Sequence, residues 1–435
     1  MIILINVDEL PCGYEFTEIE NCVADFHALR AWATPDGVDA EDAEGMALPF
    51  AYNQVTGVAS SGSNTSRPQL VGAAVTHAFK KYPVPGGFAS VGGLAEVAVH
   101  PQHRRKGIMS ALVARHFAEC RRQGHVISVL GATEATVYGR FGYGIAAHSV
   151  LTNIPARVPL KDIPGAEDHD VSIESAEREI HGELVRSLHE RYGAAPLGAA
   201  GINRPGWVGR ETIEMDRAFW DDSPTARGGW EPLRIAVVRR DGDPRGYARF
   251  RRSARWNRMR PEGTVLLGEV VALDVSAARA LWGSLLSLDL MTEVEPSPLV
   301  PDDHIFGLLA DPRAIEGVLR DSIWARVLNV PEALTARKYS ADIDIVFEVV
   351  DRMLPDNCGT WRLKAERFGA ASCEKVIASP AFTFDIATLG AMFLGSTPVA
   401  DLAQRGEIRV NDDSLLGDLA VGFSWPVPAG VSWPI

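Results

Sequence analysis

The stretch of residues 94–144 limits the possible folds of this 435-residue chain more than any other segment. It begins with an apolar run of β-forming residues that Pro101 ends, because proline cannot donate a hydrogen bond to a neighbouring strand. From Lys106 to Gly124 apolar residues recur at spacings of three and four, as on one face of a helix, and a second apolar run follows. The pattern predicts a strand, a basic turn, a helix and a second strand, which together form a unit of an α/β fold.

The basic turn lies between this strand and helix, where Arg104, Arg105 and Lys106 precede Gly107. The N-terminus of a helix presents unpaired backbone N–H groups and about half a positive charge, which favours phosphate binding. Gly107 lets an anion approach the backbone closely. A basic cluster can equally be a solvated surface turn, but its place at the strand-to-helix junction favours a phosphate or pyrophosphate site.

Two motifs carry a resemblance to a known family: HPQHRRKG at 100–107 and ATEATVYGRFGYG at 132–144. Together they resemble GCN5-related N-acetyltransferases (GNATs), specifically the Eis (enhanced intracellular survival) family of aminoglycoside and lysine acetyltransferases. Residues 281–291 resemble the end of that family's second, degenerate acetyltransferase-like domain. Residues 323–339 resemble the start of its sterol-carrier-protein-like domain. The part of the chain before residue 70 shows no such match, so no substrate contacts are carried over from it.

The resemblance implies an α/β fold with mixed sheets, in which two tandem GNAT domains precede a sterol-carrier-protein-like domain. The length agrees, since about 150 residues per domain corresponds to three domains. Breaks rich in proline and charge, at 157–170 and 295–303, mark candidate boundaries. We therefore predict a catalytic GNAT domain over residues 1–156, a second, degenerate GNAT-like domain over 157–300 and the sterol-carrier-protein-like domain over 301–435.

The cofactor that the resemblance implies is acetyl-CoA, used as a co-substrate. No metal is expected, because no cluster of His, Cys and carboxylate residues has ligand spacing. The residues that would offer backbone groups to the pantetheine arm are Val97, Ala98 and Val99. Those that would cradle the pyrophosphate are Arg105, Lys106, Gly107, Ile108, Met109 and Ser110, and those that would line the far side of the cofactor are Thr133 and Glu134. Met109 departs from the wider superfamily, which has Gly or Ala at this position.

Tyr138 matches the first tyrosine of the family's YGRFGYG motif, which implies that it is the general acid. A phenol with a pKa near about 10 and a thiol near about 8.5 are close enough for the phenol to protonate a departing CoA thiolate in a desolvated site. The alternative role for such a tyrosine is to pack its ring in the core with its hydroxyl capped. We predict that alternative for Tyr143.

Two carboxylates compete for the role of the base. Eis-like enzymes bring the C-terminal carboxylate of the chain into the active site, which here implies Ile435 as a base or as the group that orients the amine. The sequence before it is apolar and proline-rich and predicts a buried tail. Pro434 stands where the best-known family pattern has an acid, so the charge of the substrate must be met elsewhere. Glu96 is the alternative base, because strand alternation places it on the face of Leu94 and Ala98 beside the thioester.

Charge and cysteine content restrict the partners and the compartment. The chain has 43 Lys and Arg against 56 Asp and Glu, a net charge of −13 that disfavours nucleic acid and suits a cationic substrate. Its five cysteines include no CxxC pair and are odd in number, which predicts a reducing, cytoplasmic location. No apolar run reaches the ~18 residues of a membrane span, so no membrane partner is expected.

The resemblance further implies a homohexamer that acetylates primary amines of cationic, aminoglycoside-like small molecules or of lysine side chains. The alternative function is a non-catalytic protein that senses acetyl-CoA or binds a lipid through its last domain.

Overall fold

Three main β-sheets, of seven, six and five strands, form most of the fold. The computed structural model describes residues 10–19, 23–33, 46–60, 69–195 and 201–433. Within this part of the chain, no helix is both long enough and apolar enough to cross a membrane.

The first third of the chain forms a sheet with helices on both faces. Its strands from this part of the chain are β1 (Tyr14–Glu18), β2 (Val55–Ser60), β3 (Gln69–Val84), β4 (Gly87–Val99), β5 (Ile127–Leu130) and β6 (Gly144–Ile145), and the next strand, β7 (His148–Thr152), lies outside this sheet. Its helices are α1 (Val23–Ala33), α2 (Ile108–Arg122) and α3 (Ala135–Tyr138).

The middle and last thirds add two further sheets and their helices. The middle strands are β8 (Ile154–Pro155), β9 (His169–Ser175), β10 (Arg234–Arg240), β11 (Asp243–Ser253), β12 (Trp256–Asn257), β13 (Arg260–Pro261), β14 (Gly263–Ala272) and β15 (Met291–Pro296). The middle helices are α4 (Arg178–Ala194), α5 (Ile213–Phe219), α6 (Pro224–Arg227), α7 (Val275–Leu286) and α8 (His304–Leu308). The last strands are β16 (Gly317–Asp321), β17 (Trp324–Val327), β18 (Ile343–Val350), β19 (Gly359–Ala365), β20 (Ala371–Lys375), β21 (Phe382–Asp385) and β22 (Ile408–Val410). The last helices are α9 (Val330–Ala336), α10 (Ile386–Phe393), α11 (Val399–Gln404) and α12 (Leu416–Phe423).

Strands β4 and β5 open a gap in the first sheet, whose strand order is β1-β2-β3-β4-β5-β17-β6. The two strands run parallel and pair only from Val91 to Gly93 on β4 and from Ile127 to Val129 on β5. Beyond this point β4 continues to Val99 without β5 beside it. Parallel neighbours need a crossover, and α2 supplies it, so the N-terminus of α2 lies at the open end of the gap.

The second sheet, of order β8-β15-β14-β11-β10-β9, repeats the arrangement of the first. Strands β14 and β15 are parallel, and α7 forms the crossover between them as α2 does between β4 and β5. The two sheets therefore contain the same structural unit, in which a helix connects two parallel strands.

Strand β17 belongs to the first sheet although it lies late in the chain. It pairs antiparallel with both β5 and β6, and β16 pairs with β7. The predicted boundary after residue 300 assigns both strands to the last domain, whereas their partners lie before residue 156. The boundaries remain predictions, and the strand pairing shows that the first sheet is completed by residues from beyond 300.

A fully buried ion pair joins β17 to the third sheet, whose order is β20-β19-β18-β21-β22. Arg326 on β17 donates from Nη2 to both carboxylate oxygens of Asp351, at 2.8 and 2.7 Å, immediately after β18. The Nε of Arg326 donates to the carbonyl of Phe141, at 2.9 Å. The pair therefore connects the last part of the chain to the segment that carries the YGRFGYG motif.

The C-terminal tail, residues 424–433, packs into the molecule. Trp425 donates from Nε1 to the carbonyl of Asn203 at 2.9 Å, and Ser432 donates from Oγ to the carbonyl of Val208 at 2.8 Å. Side chains along the tail are buried, among them Trp425 and Trp433. The prediction of a buried tail is therefore confirmed over the residues described.

Candidate active site

The gap between β4 and β5 contains a cavity of about 610 Å³ at the N-terminus of α2. The predicted site residues that line it are Val97, Val99, Arg105, Gly107, Ile108, Met109, Ser110, Thr133, Glu134 and Tyr138. Ala98 and Lys106 are not among the lining residues. The structure thus brings the end of β4, the basic turn, the first turn of α2 and the YGRFGYG motif to one cavity.

The backbone of the basic turn is shaped to surround an anion. Arg105 and Gly107 both adopt left-handed conformations, with φ of 61° and 85°. The first backbone hydrogen bond of α2 runs from the Ala111 N–H to the Gly107 carbonyl, at 3.1 Å. The N–H groups of Ile108, Met109 and Ser110 therefore have no acceptor within the helix. A left-handed turn followed by free N–H groups forms a concave anion site, which fits a pyrophosphate.

The cations of the turn are distributed unequally. Arg104 and Arg105 line the cavity, whereas the Nζ of Lys106 lies 5.9 Å from the ring centroid of Tyr14. The ring nitrogen Nδ1 of His103 is hydrogen bonded to the Tyr14 hydroxyl at 2.9 Å. Burial, with the nearby charges of Lys106 and His100, holds the pKa of His103 below its ordinary value. Positive charge at the cavity therefore comes from the arginines.

Arg140 is a cavity residue that the sequence analysis missed. It lies on the wall formed by the YGRFGYG motif, and its Nη2 is 3.7 Å from the Sδ of Met109. Its place inside a motif already assigned to the site was a usable signal. Val137 was also not predicted, and it lines the same cavity together with His103 and Arg104 of the basic turn.

The hydroxyl groups of the two tyrosines differ in availability. Tyr138 is 8% exposed, and its hydroxyl has no hydrogen-bond partner among the described residues, while burial and the charge of Glu134 raise its pKa. Tyr143 is 1% exposed, and its hydroxyl is hydrogen bonded to Ser128 Oγ at 2.7 Å. Ser128 is in turn hydrogen bonded to His116 Nε2 at 2.7 Å. A transferable proton facing the cavity is thus found on Tyr138, and Tyr143 belongs to a buried network.

Glu96 does not occupy the position that strand alternation predicted. It has a left-handed backbone, with φ of 50°, at a bulge where the pairing of β4 with β3 shifts. The bulge breaks the alternation, so Leu94 packs in the cluster beneath α2 while Ala98 packs in the cluster beneath α1. The carboxylate of Glu96 accepts from Nε and Nη2 of Arg30 at 2.7 and 3.3 Å. The predicted placement of Glu96 on one face with Leu94 and Ala98 was wrong, and its carboxylate is already paired with Arg30.

The predicted carboxylate of Ile435 lies outside the described residues. The tail can be followed to Trp433, and Val431 lines a second cavity of about 260 Å³ together with Leu130 and Gly131 at the end of β5. This end of β5 borders the gap that holds the first cavity. The described part of the tail thus leads toward the candidate active site.

The start of the crossover helix differs between the repeated unit and the first unit. At the start of α7 the carboxylate of Asp274 accepts from the Ala277 N–H at 2.9 Å and pairs with Arg245 at 2.7 Å. A carboxylate of the protein therefore occupies the place where α2 has glycine and free N–H groups. The degeneracy of the second unit stays a prediction.

The sequence matches known protein families over most of its length. Models of the acetyltransferase (GNAT) domain match residues 50–146 and 206–327, and a model of the sterol carrier protein domain matches residues 330–428. The predicted fold class, two tandem GNAT domains followed by a sterol-carrier-protein-like domain, is confirmed.

Named relatives cover most of the chain. An N-acetyltransferase of Streptomyces avermitilis, described as uncharacterized, is 35% identical over 346 residues, which cover 78% of this chain and 81% of that protein. N-acetyltransferase Eis of Mycobacterium tuberculosis is 29% identical over 345 residues, which cover 77% of this chain and 78% of that protein. The crystal structure of Eis1 from Mycobacterium abscessus has a TM-score of 0.75 at 25% identity and covers 97% of this chain and 100% of that chain. This chain is therefore an N-acetyltransferase that belongs to the Eis family of GCN5-related N-acetyltransferases.

Proposed function

We propose that the protein transfers the acetyl group of acetyl-CoA to primary amines of cationic, aminoglycoside-like small molecules or of lysine side chains. The observation that carries the proposal is the cavity at the N-terminus of α2, which is lined both by an anion cradle and by Tyr138. The net charge of −13 supports a cationic acceptor. Because the family relatives are N-acetyltransferases, they argue against the alternative of a non-catalytic acetyl-CoA sensor or lipid-binding protein.

Residues on different sides of the cavity bind the cofactor and donate the proton. The turn at Arg105 and Gly107 holds the pyrophosphate, and the backbone of Val97, Ala98 and Val99 orients the pantetheine arm. The amine attacks the thioester carbonyl and loses a proton to the base, so that the C–N bond forms while the C–S bond breaks and the CoA thiolate leaves. Tyr138 donates its hydroxyl proton to that thiolate, and its raised pKa keeps the proton in place until then.

We assign the base, or the group that orients the amine, to the carboxylate of Ile435. Two observations support this proposal: the tail before it is buried, and Val431 lies beside Gly131 at the end of β5. The pairing of Glu96 with Arg30 weakens the competing assignment.

We also propose that the protein assembles as a homohexamer and that it is cytoplasmic. The domain boundaries are proposed to follow residues 156 and 300. On β16 the side chains of Val318 and Leu319 are 54% and 62% exposed, which leaves an apolar strand surface for contact with other subunits. The cysteines at 12, 120, 358 and 373 are unpaired, as in a reducing compartment.

The test of the proposed function is steady-state release of CoA from acetyl-CoA in the presence of aminoglycosides, polyamines and lysine-containing peptides. Saturable turnover with polycationic amines, and little with neutral amines, is expected. Turnover with none of these amines, although acetyl-CoA binds, would favour the non-catalytic alternative.

Arg105→Glu is expected to raise the KM for acetyl-CoA about 10-fold to 100-fold, since a hydrogen bond to a charged group is worth about 1.5–3 kcal/mol and the new charge repels the pyrophosphate. The KM for the amine should change much less. Arg122→Glu at the opposite end of α2 is the control, because Arg122 pairs with Glu119 at the surface. Equal acetyl-CoA KM values in the two variants would contradict the assignment of the turn.

Glu96→Gln is expected to change kcat by less than about threefold, because its carboxylate is engaged by Arg30 and a general base contributes about 10²-fold or more when it is lost. Steady-state kinetics with a saturating amine give the result. A loss of about 10²-fold in this variant would transfer the base role from Ile435 to Glu96.

A further inference from the structure

Arg249 on β11 carries a guanidinium that is only partly satisfied inside the second GNAT domain. Its Nη1 donates to the carbonyl of Phe219 at 2.5 Å, and its Cζ lies 4.0 Å from the centroid of the Phe219 ring. Its Nε is buried without a partner, and none of the described residues accepts from its Nη2. One edge of the guanidinium, formed by Nε and Nη2, is therefore left without an acceptor.

The surrounding charges do not neutralise Arg249. Glu269 accepts from Arg210 at 2.6 Å and from the Tyr247 hydroxyl at 2.6 Å, so one carboxylate faces two guanidinium groups. Arg251, two residues along β11, has its own partner in Asp222. Burial lowers the pKa of Arg249 to about 10, which leaves it positively charged at neutral pH. An excess buried cation is costly unless an anion pairs with it.

Arg249 lines a cavity of about 270 Å³ between the second sheet and the loop of Met46 and Ala47 from the first domain. Most of the other walls are apolar, including Leu233 and Leu266. Gly268 borders the guanidinium, and a Cβ at that position would lie 3.3 Å from Nη2 of Arg249. Because glycine has no side chain, the space beside Nη2 stays open.

The acid on the cavity wall, Asp221, is already engaged. Its carboxylate accepts from the N–H groups of Ala47 and Ser223, at 3.0 and 2.9 Å. It is not paired with Arg249, and its hydrogen bond to Ala47 ties the first-domain loop to the second domain.

We propose that this cavity is a binding site for a small monocarboxylate with an apolar body, about the size of benzoate. The carboxylate would accept from the free Nε–Nη2 edge of Arg249, since the planar guanidinium matches a carboxylate in a bidentate geometry. The apolar body would lie against Leu233 and Leu266. The site is separate from acetyl transfer, because none of the residues that line it also lines the cavity of Tyr138.

Isothermal titration calorimetry of the 435-residue chain with sodium benzoate tests the proposal. Saturable binding is expected, with benzyl alcohol, which has the ring but no charge, binding at least tenfold more weakly. Arg249→Gln should lower the benzoate affinity at least tenfold. Arg252→Gln is the matched control on the same strand, because Arg252 pairs with Glu231 and does not line the cavity, and it should bind as the unchanged protein does.

Acetyl-CoA binding, measured on the same samples, shows that each variant is folded. Should Arg249→Gln fail to fold, Ala226→Phe replaces it, because the ring would fill the cavity without altering the guanidinium, and benzoate binding should again be lost. Absence of saturable benzoate binding to the unchanged protein would overturn the proposal. So would equal affinities in the unchanged protein and Arg249→Gln, or loss of benzoate binding in Arg105→Glu, which would place the carboxylate in the acetyl-CoA cavity.

Discussion

Tyr138→Phe is expected to lower kcat by about 10²-fold to 10⁴-fold, the usual contribution of a general acid, while acetyl-CoA binding is retained. The substitution keeps the ring, which packs edge-on against Tyr143 with centroids 6.1 Å apart, and removes only the hydroxyl. Because that hydroxyl has no protein partner among the described residues, its loss should not unsettle the core. Steady-state CoA release gives kcat, and calorimetry gives the acetyl-CoA affinity.

Tyr143→Phe is the matched control for this experiment. It removes a buried hydrogen bond to Ser128, so it should reduce stability by about 1 kcal/mol and leave kcat nearly unchanged. If Tyr143→Phe were the inactive variant and Tyr138→Phe the active one, the roles of the tyrosines would be exchanged.

Burial raises the pKa of Tyr138, so its acid form persists as the pH rises, and kcat should show no loss from its ionisation below pH ~10.

Asp351→Ala is expected to lower the free energy of unfolding by about 3–5 kcal/mol. The side chains of Arg326 and Asp351 are 0% and 1% exposed, and the substitution leaves the guanidinium buried without its counter-charge. Asp351 also accepts from the Met353 N–H at 3.0 Å and from Asn357 Nδ2 at 2.9 Å, and these bonds are lost too. Urea denaturation followed by circular dichroism gives the change.

An exposed ion pair of similar length provides the comparison. Asp344 pairs with Arg362 at 2.7 Å, with side chains 48% and 41% exposed, so Asp344→Ala should cost less than about 1 kcal/mol. In the double variant Arg326→Met with Asp351→Leu, most of the stability should return because no charge stays buried. Similar losses in Asp351→Ala and Asp344→Ala would show that the buried pair does not hold the last domain to the first sheet.

Local patterns were sufficient to predict the unit that contains the site. The apolar run before Pro101, the helical spacing up to Gly124 and the apolar run after it correspond to β4, α2 and β5. These elements depend on periodicity and on chain-breaking residues, both of which act over a few neighbours in sequence.

Features that depend on distant parts of the chain were not predictable in this way. The bulge at Glu96 results from how β4 pairs with β3, and periodicity gives no sign of it. The insertion of β17 beside β5 joins residues almost two hundred positions apart. In each case tertiary pairing decides the position, and a single sequence carries no record of it.

The position of β17 has a consequence for biogenesis. A ribosome that has just completed β6 must synthesise the whole second domain before β17 emerges, which takes roughly 10–40 s at about 5–20 residues per second. During this interval the nascent chain lacks the strand that separates β5 from β6, so both present unpaired backbone groups. The catalytic sheet of the nascent chain is therefore completed late, after the domain that follows it in sequence has been synthesised. Until then, the unpaired strands must be protected from pairing with other nascent chains.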